Sequence, residues 1–259
     1  MKATADLLTA LGILLGTCLV ASGGTVVAWG NGSYGQLDVP TNLTDVVNVA
    51  SGSQHCLALR SNGVAVGWGY NYFQQATVPD WWYADGYGSY YVNGNITNIA
   101  AGSWHSLALL QAGFVTGWGD SSGGATFVPA GIHSVVAVAG GADNSLALKS
   151  DGTVAAWGCH GACVVPDGLT NIVDIDAGQY FSVALRGDGT IAAAWGYNQF
   201  GDCDVPPGLS NVIAVAAGDY HVAALKVDGM GAGWGPTSYG QTSIPDAATT
   251  IVAIAAGRA

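Results

Sequence analysis

The chain has 259 residues, 50% of them hydrophobic and only 9% charged, which is enough apolar side chain for a substantial core and too little charge for a disordered tail. Seventeen acids against six bases leave a formal charge of −11, which repels nucleic-acid phosphates and anionic lipid surfaces and argues against both as partners. Every acid is Asp and Gly fills 40 positions, so strong helix formers are scarce and an all-β protein is expected.

At the N-terminus, Lys2 precedes an apolar stretch, 7–21, that ends in small residues, the pattern of a secretory signal cleaved near Ser22. The same stretch has a second reading. Aligning Gly24 with Gly189 places Thr17 on Ser182 and Val20 on Leu185, which makes residues 17–21 a degenerate strand of the repeat that follows. Residues 1–22 therefore form either a signal-like segment or part of a blade, and residues 23–259 form one domain.

That domain is repetitive. A Trp-Gly pair recurs at Trp29, Trp68, Trp118, Trp157, Trp195 and Trp234, at intervals of 39, 50, 39, 38 and 39 residues. Each unit opens on a run that alternates β-branched with small residues, such as 135–139, 172–177, 212–216 and 251–255, and reads as a strand in a crowded place. A Gly (Gly52, Gly102, Gly141, Gly178, Gly218) turns the chain into a second apolar run. Asn62-Gly63, Asp151-Gly152, Asp188-Gly189 and Asp228-Gly229 then predict a hairpin with a type I′ turn, and a third strand ends at the Trp-Gly pair. A polar loop leads to a fourth extended piece that stops at Pro40, Pro79, Pro129, Pro166, Pro206 or Pro245, where proline suits an outer edge. Four short strands per unit of this length predict a β-propeller of four-stranded blades, with six blades expected and seven, or a truncated ring, as the alternative.

The 50-residue interval carries 11 extra residues, placed at 80–95, and includes Trp81, Trp82, Tyr83, Tyr87, Tyr90 and Tyr91 among glycines. Aromatic anchors on small spacers are the composition of a recognition loop. A second candidate set occupies one loop position per unit, just after the turn Gly: Gln54, Trp104, Asp143, Tyr180 and Tyr220. These are expected to ring one face of the disc as a specificity surface, and a partner is expected to be recognised through that face plus the insertion.

Other chemistry is thin. His55, His105 and His221 share one repeat position and are expected to make structural hydrogen bonds, since repeat-related side chains spread around an axis and do not converge on a metal. Asp174 and Asp176 share a strand face where other units place Ala, which suggests water-filled channel lining or, in an enzymatic alternative, acid-base groups. Gly30, Gly32 and Gly35 match a dinucleotide string and 119–123 a nucleophile-elbow string, but neither opens a helix. Cys159 and Cys163 flank a short loop compatible with a local disulfide if the protein is exported. No cofactor or metal site is expected.

The units, as in "LKSDGTVAAWG" running on to "VVPDGLTNIVDIDAG", resemble the regulator-of-chromosome-condensation repeat family across residues 25–257. The short blades are most similar to its bacterial members, which include secreted β-lactamase inhibitors. The resemblance implies a propeller that binds proteins, and in the inhibitor-type members aromatic residues of equivalent loops line the binding face. A non-enzymatic, secreted or cell-surface binder of protein is therefore expected. A glycan-binding or structural surface module, a propeller lyase or hydrolase, and a cytoplasmic location stand as the alternatives.

Overall fold

The structure is a computed structural model that describes residues 17–21, 25–84, 88–158, 163–238, 240–245 and 250–257. Among these residues there are nineteen strands and no helix. β1 (Thr17–Ala21) pairs with β2 (Thr25–Trp29). A three-stranded sheet follows, made of β3 (Val46–Ser51), β4 (His55–Arg60) and β5 (Ala65–Gly69), and then a separate hairpin of β6 (Trp81–Ala84) and β7 (Gly88–Tyr91). Four more three-stranded sheets complete the series: β8 (Ile96–Ala101) to β10 (Val115–Gly119), β11 (Val135–Gly140) to β13 (Val154–Trp157), β14 (Ile172–Ala177) to β16 (Ile191–Gly196), and β17 (Val212–Ala217) to β19 (Gly231–Trp234). Strand order equals chain order and all pairing is antiparallel, so each sheet is an up-down-up meander.

Two local expectations change. The hairpins between second and third strands form, but only their Gly adopts positive φ, 78° at Gly63 and 77° at Gly152; the Asn or Asp before it does not. That is a type I turn closed by a left-handed Gly, in place of type I′. The cause is side-chain bonding: Asn62, Asp151, Asp188 and Asp228 accept the backbone N–H two residues on, at 2.9–3.1 Å, which holds the turn in the right-handed region.

The fourth extended piece exists but does not join the ladder. Its amides bond back two residues, as in Val39 N–H to Leu37 O and Val205 N–H to Cys203 O, which is γ-turn geometry. It lies flat against the third strand, close enough that a Cβ added to Gly233 would fall 2.9 Å from Thr242 O. Each complete described sheet thus has three hydrogen-bonded strands under a fourth covering segment.

Neighbouring sheets are joined by recurring contacts. One apolar cluster combines Leu146 and Leu148 of β12 with Ile172, Ile175 and Trp195 of the next sheet. The indole N–H of Trp68, Trp118, Trp157 and Trp234 donates at 2.8–2.9 Å to the carbonyl four residues before proline in the preceding unit, at Gln36, Gln75, Ala125 and Asp202. Ser106 and Ser145 donate to the Gln75 and Ala125 carbonyls as well. The N–H groups of Ile96, Val135, Ile172, Val212 and Ile251 bond the carbonyl of the preceding hairpin Gly, at Gly63, Gly113, Gly152, Gly189 and Gly229. These links explain why Trp-Gly and Val-Pro recur together.

Candidate functional site

Each strand reverses the chain, so the turn after the first strand and the loop after the third emerge at one end of a sheet, while the hairpin and the exit of the fourth segment emerge at the other. Hydrogen bonds tie the first pair together: Tyr70 N–H to Gln54 O at 2.8 Å, Asp120 N–H to Trp104 O at 2.9 Å, and Tyr197 N–H to Tyr180 O at 2.9 Å. The insertion belongs to the second end. Its base bonds to the β4–β5 hairpin through Gly94 N–H to Gly63 O and through Ala65 N–H to Asn93 Oδ1. Six-residue strands of about 20 Å separate the two ends.

The two predicted aromatic sets therefore stand at opposite ends of the sheets. In the insertion the β6–β7 register sets Trp81 opposite Tyr91, Trp82 opposite Tyr90 and Tyr83 opposite Ser89. The side chains of these residues, and Tyr87 altogether, lie outside the described residues.

At the loop end, the predicted ring residues gather partners from the loops after Trp-Gly. Trp104 lies 5.7 Å from Tyr70 and 6.2 Å from Phe73, and Tyr34 and Tyr72 extend the arc through Tyr70, all but the Tyr70–Tyr72 pair meeting edge to face. A second arc runs Tyr180, Tyr197, Phe200, Tyr220 with ring centroids 6.3, 6.4 and 5.3 Å apart. Tyr72 is 76% exposed, and Tyr34, Phe73, Tyr180, Tyr197 and Phe200 are also exposed. Between the arcs lies a polar stretch with Asp120, Ser122 and Asp143, the last packed where a Cβ on Gly123 would sit. Gln54 is half-buried, and its carbonyl accepts the Tyr70 N–H.

Six of these rings escape a reading anchored on the turn Gly: Tyr34, Tyr70, Tyr72, Phe73, Tyr197 and Phe200. Their signal is the spacing from Trp-Gly, with aromatics two residues after the Trp (Tyr70, Tyr197) or five (Tyr34, Phe73, Phe200).

The histidines are structural in position. His55 Nε2 and His105 Nε2 meet Ser106 Oγ and Ser145 Oγ of the next sheet at 2.9 and 3.0 Å, buried. Each ring covers the turn Gly before it, so any Cβ at Gly102 would collide with the His105 imidazole. His221 is pushed below its ordinary range by burial.

Asp174 and Asp176 join two blades. Asp174 accepts the N–H groups of Ile175 and Val215 at 3.0 and 3.1 Å, and Asp176 those of Ala177 and Ala217 at 2.8 and 2.7 Å. They satisfy donors on the free edge of β17, and burial raises Asp174 above the usual carboxylate range against those bonds. Among the described residues no group of three or more His, Cys, Asp or Glu could hold a metal ion. Cys163 is disulfide-bonded, Cys56 and Cys203 are free thiols, and Cys159 lies outside the described residues.

Comparison with known proteins agrees with this architecture. Residues 46–75, 135–162 and 172–202 match the regulator of chromosome condensation (RCC1) repeat. A search of curated proteins returned no match. Among solved structures, Prp20p from Saccharomyces cerevisiae, described with its binding to Gsp1p and histones, is similar at 20% identity and a TM-score of 0.70, covering 90% of this chain and 72% of that one. Human WBSCR16 is similar at 20% identity and 0.73, covering 98% and 85%. The CRINKLY WD40 ectodomain of the Arabidopsis thaliana receptor kinase ACR4 is similar at 19% and 0.66, covering 85% and 77%.

Proposed function

We propose that this β-propeller, which carries regulator of chromosome condensation repeats, works without catalysis by binding another protein on its loop end. The observation that carries the reading is the pair of aromatic arcs, exposed rings held edge to face on hydrogen-bonded loops. Such rings offer large contact area at small entropic cost. Prp20p, which shares the fold, is described with protein partners, and the reading extends that mode of action to this chain. The carboxylates that an acid-base mechanism would have used, Asp174 and Asp176, are taken up by backbone N–H groups between blades. The β6–β7 hairpin, at the other end, is a second and separate contact element. A disulfide at Cys163 supports placing the protein outside a reducing cytoplasm.

Affinity capture with the immobilised protein tests this. Tyr70→Ala with Trp104→Ala should abolish capture of a protein that the unaltered chain retains, while removal of residues 81–91 should spare it. Equal capture by all three forms would refute the loop end as the binding surface, and capture of glycan alone would replace protein by carbohydrate.

A further inference from the structure

Charge is distributed unevenly between the two ends of the sheets. The described bases Arg60, Lys149, Arg186 and Lys226 all close second strands, at the hairpin end. The loop end carries Asp120, Asp143, Asp202 and Asp219, and no Lys or Arg lies on its described turns and loops.

Within the second aromatic arc, two polar atoms lack a donor. Asp202 is 1% exposed and its Oδ1 is buried without a hydrogen bond, as is Gln179 Oε1. The positions equivalent to Asp202 hold Gln36 and Gln75, whose Oε1 atoms accept the Tyr34 and Phe73 N–H groups of their own loops. Asp202 substitutes a shorter, ionisable acceptor whose Oδ1 is left unused. Tyr220 interacts with both residues: burial first, then Asp219 and Tyr180, push its hydroxyl up, a hydrogen bond donated by the Gln179 amide opposes them, and Asp202 adds a smaller push upward. Tyr180, Tyr197 and Phe200 stand exposed around this point.

Unused acceptors, ringed by aromatic faces on an acidic end without bases, call for a donor that is also a cation. We propose that the arc of Tyr180, Tyr197, Phe200 and Tyr220 receives a guanidinium or ammonium side chain of the protein partner, with Asp202 and Gln179 as its hydrogen-bond acceptors. This rests on the protein-binding reading above and specifies the partner's chemistry. An organic cation fits better than a metal ion, because no group of three or more His, Cys, Asp or Glu gathers among the described residues, whereas the ring faces suit a guanidinium or ammonium.

The site also predicts a pH dependence. Burial, reinforced by Asp204, holds the Asp202 carboxyl protonated up to about 6, so the acceptor becomes anionic above that point. The other titratable groups that interact with it are Asp204, Cys203 and Tyr220. Burial first, then Asp202 and Asp204, hold the Cys203 thiol up at about 11, so it does not follow Asp202 through this range.

The probe is a short blocked peptide carrying arginine, compared with the same peptide carrying citrulline, followed by amide shifts of the whole chain. Arginine should bind about tenfold more tightly than citrulline above Asp202's pKa and lose most of that preference below it, with shifts centred on residues 179–181, 197–204 and 219–221. Asp202→Asn should erase the preference, and Asp228→Asn, on the hairpin end, should keep it. Equal binding of citrulline, retention in Asp202→Asn, or saturation of the same residues by calcium chloride alone would overturn the proposal. Loss of arginine preference with capture still dependent on Tyr70 and Trp104 would remove this inference and leave the protein-binding reading standing.

Discussion

Replacing Asp176 by Ala separates a structural carboxylate from a catalytic one. The substitution removes the acceptor for Ala177 N–H at 2.8 Å and Ala217 N–H at 2.7 Å, the second of which belongs to the next blade. Hydrogen bonds to a charged group contribute about 1.5–3 kcal/mol each, and a buried donor left unpaired costs about 1–3 kcal/mol. Ala177 is buried, whereas Ala217 is half-buried and its amide can be rehydrated, so the net loss should be about 2 kcal/mol, mostly from the first bond. With a urea m-value of about 3 kcal/mol/M the midpoint should fall by roughly 0.7 M at unchanged slope. Asp176→Asn keeps one acceptor oxygen but turns an amide donor towards a second donor, and should fall between the two. An unaltered midpoint in Asp176→Ala would refute the account of these acids as inter-blade links.

Three further outcomes follow from local geometry. Gly102→Ala places a Cβ in the His105 ring and 2.6 Å from Gly141 O of the next sheet, and should cost about 3 kcal/mol, whereas Gly131→Ala, at φ 84° in open space, should cost only about 1 kcal/mol in the same thermal melts. Trp118→Phe exchanges the buried indole for a smaller phenyl, leaves a cavity and takes one donor from the Gln75 carbonyl, and should lower stability by about 2–3 kcal/mol by chemical denaturation. For Asp202 the folded carboxyl keeps its proton to about 6, while the unfolded chain releases it near 3.8, so the folded state binds more protons in between and stability falls as pH rises through that window. Asp202→Asn should flatten that part of the stability–pH curve and be the more stable form above it. Its loss of arginine binding could then not be ascribed to unfolding.

The repeat was legible because its signals are local and multiplied: Trp-Gly, the Asx-Gly hairpin and Val-Pro each mark a fixed place in the unit, and all describe the same sheet. The turn type was less so, since Asn62 and Asp151 tolerate either hand and it is their side-chain bonds to Val64 and Thr153 that decide. The segments before Pro40, Pro129 and Pro206 curl into a γ-turn instead of extending the ladder, which their extended composition conceals. The aromatic face at the loop end was half legible. Trp104, Tyr180 and Tyr220 could be found from the turn Gly, but their partners Tyr70, Phe73, Tyr197 and Phe200 sit in loops from a different strand and meet them only in three dimensions. Asp174 and Asp176 looked available because the amides they serve, those of Val215 and Ala217, lie 41 residues away.

Hydrogen–deuterium exchange of the chain with and without a captured partner tests the loop end most directly. Slowed exchange should appear at residues 70–73, 103–105, 179–181, 197–200 and 219–221, with the Asn62-Gly63 hairpin unchanged. Protection confined to the hairpin end, or spread evenly over all blades, would contradict the account.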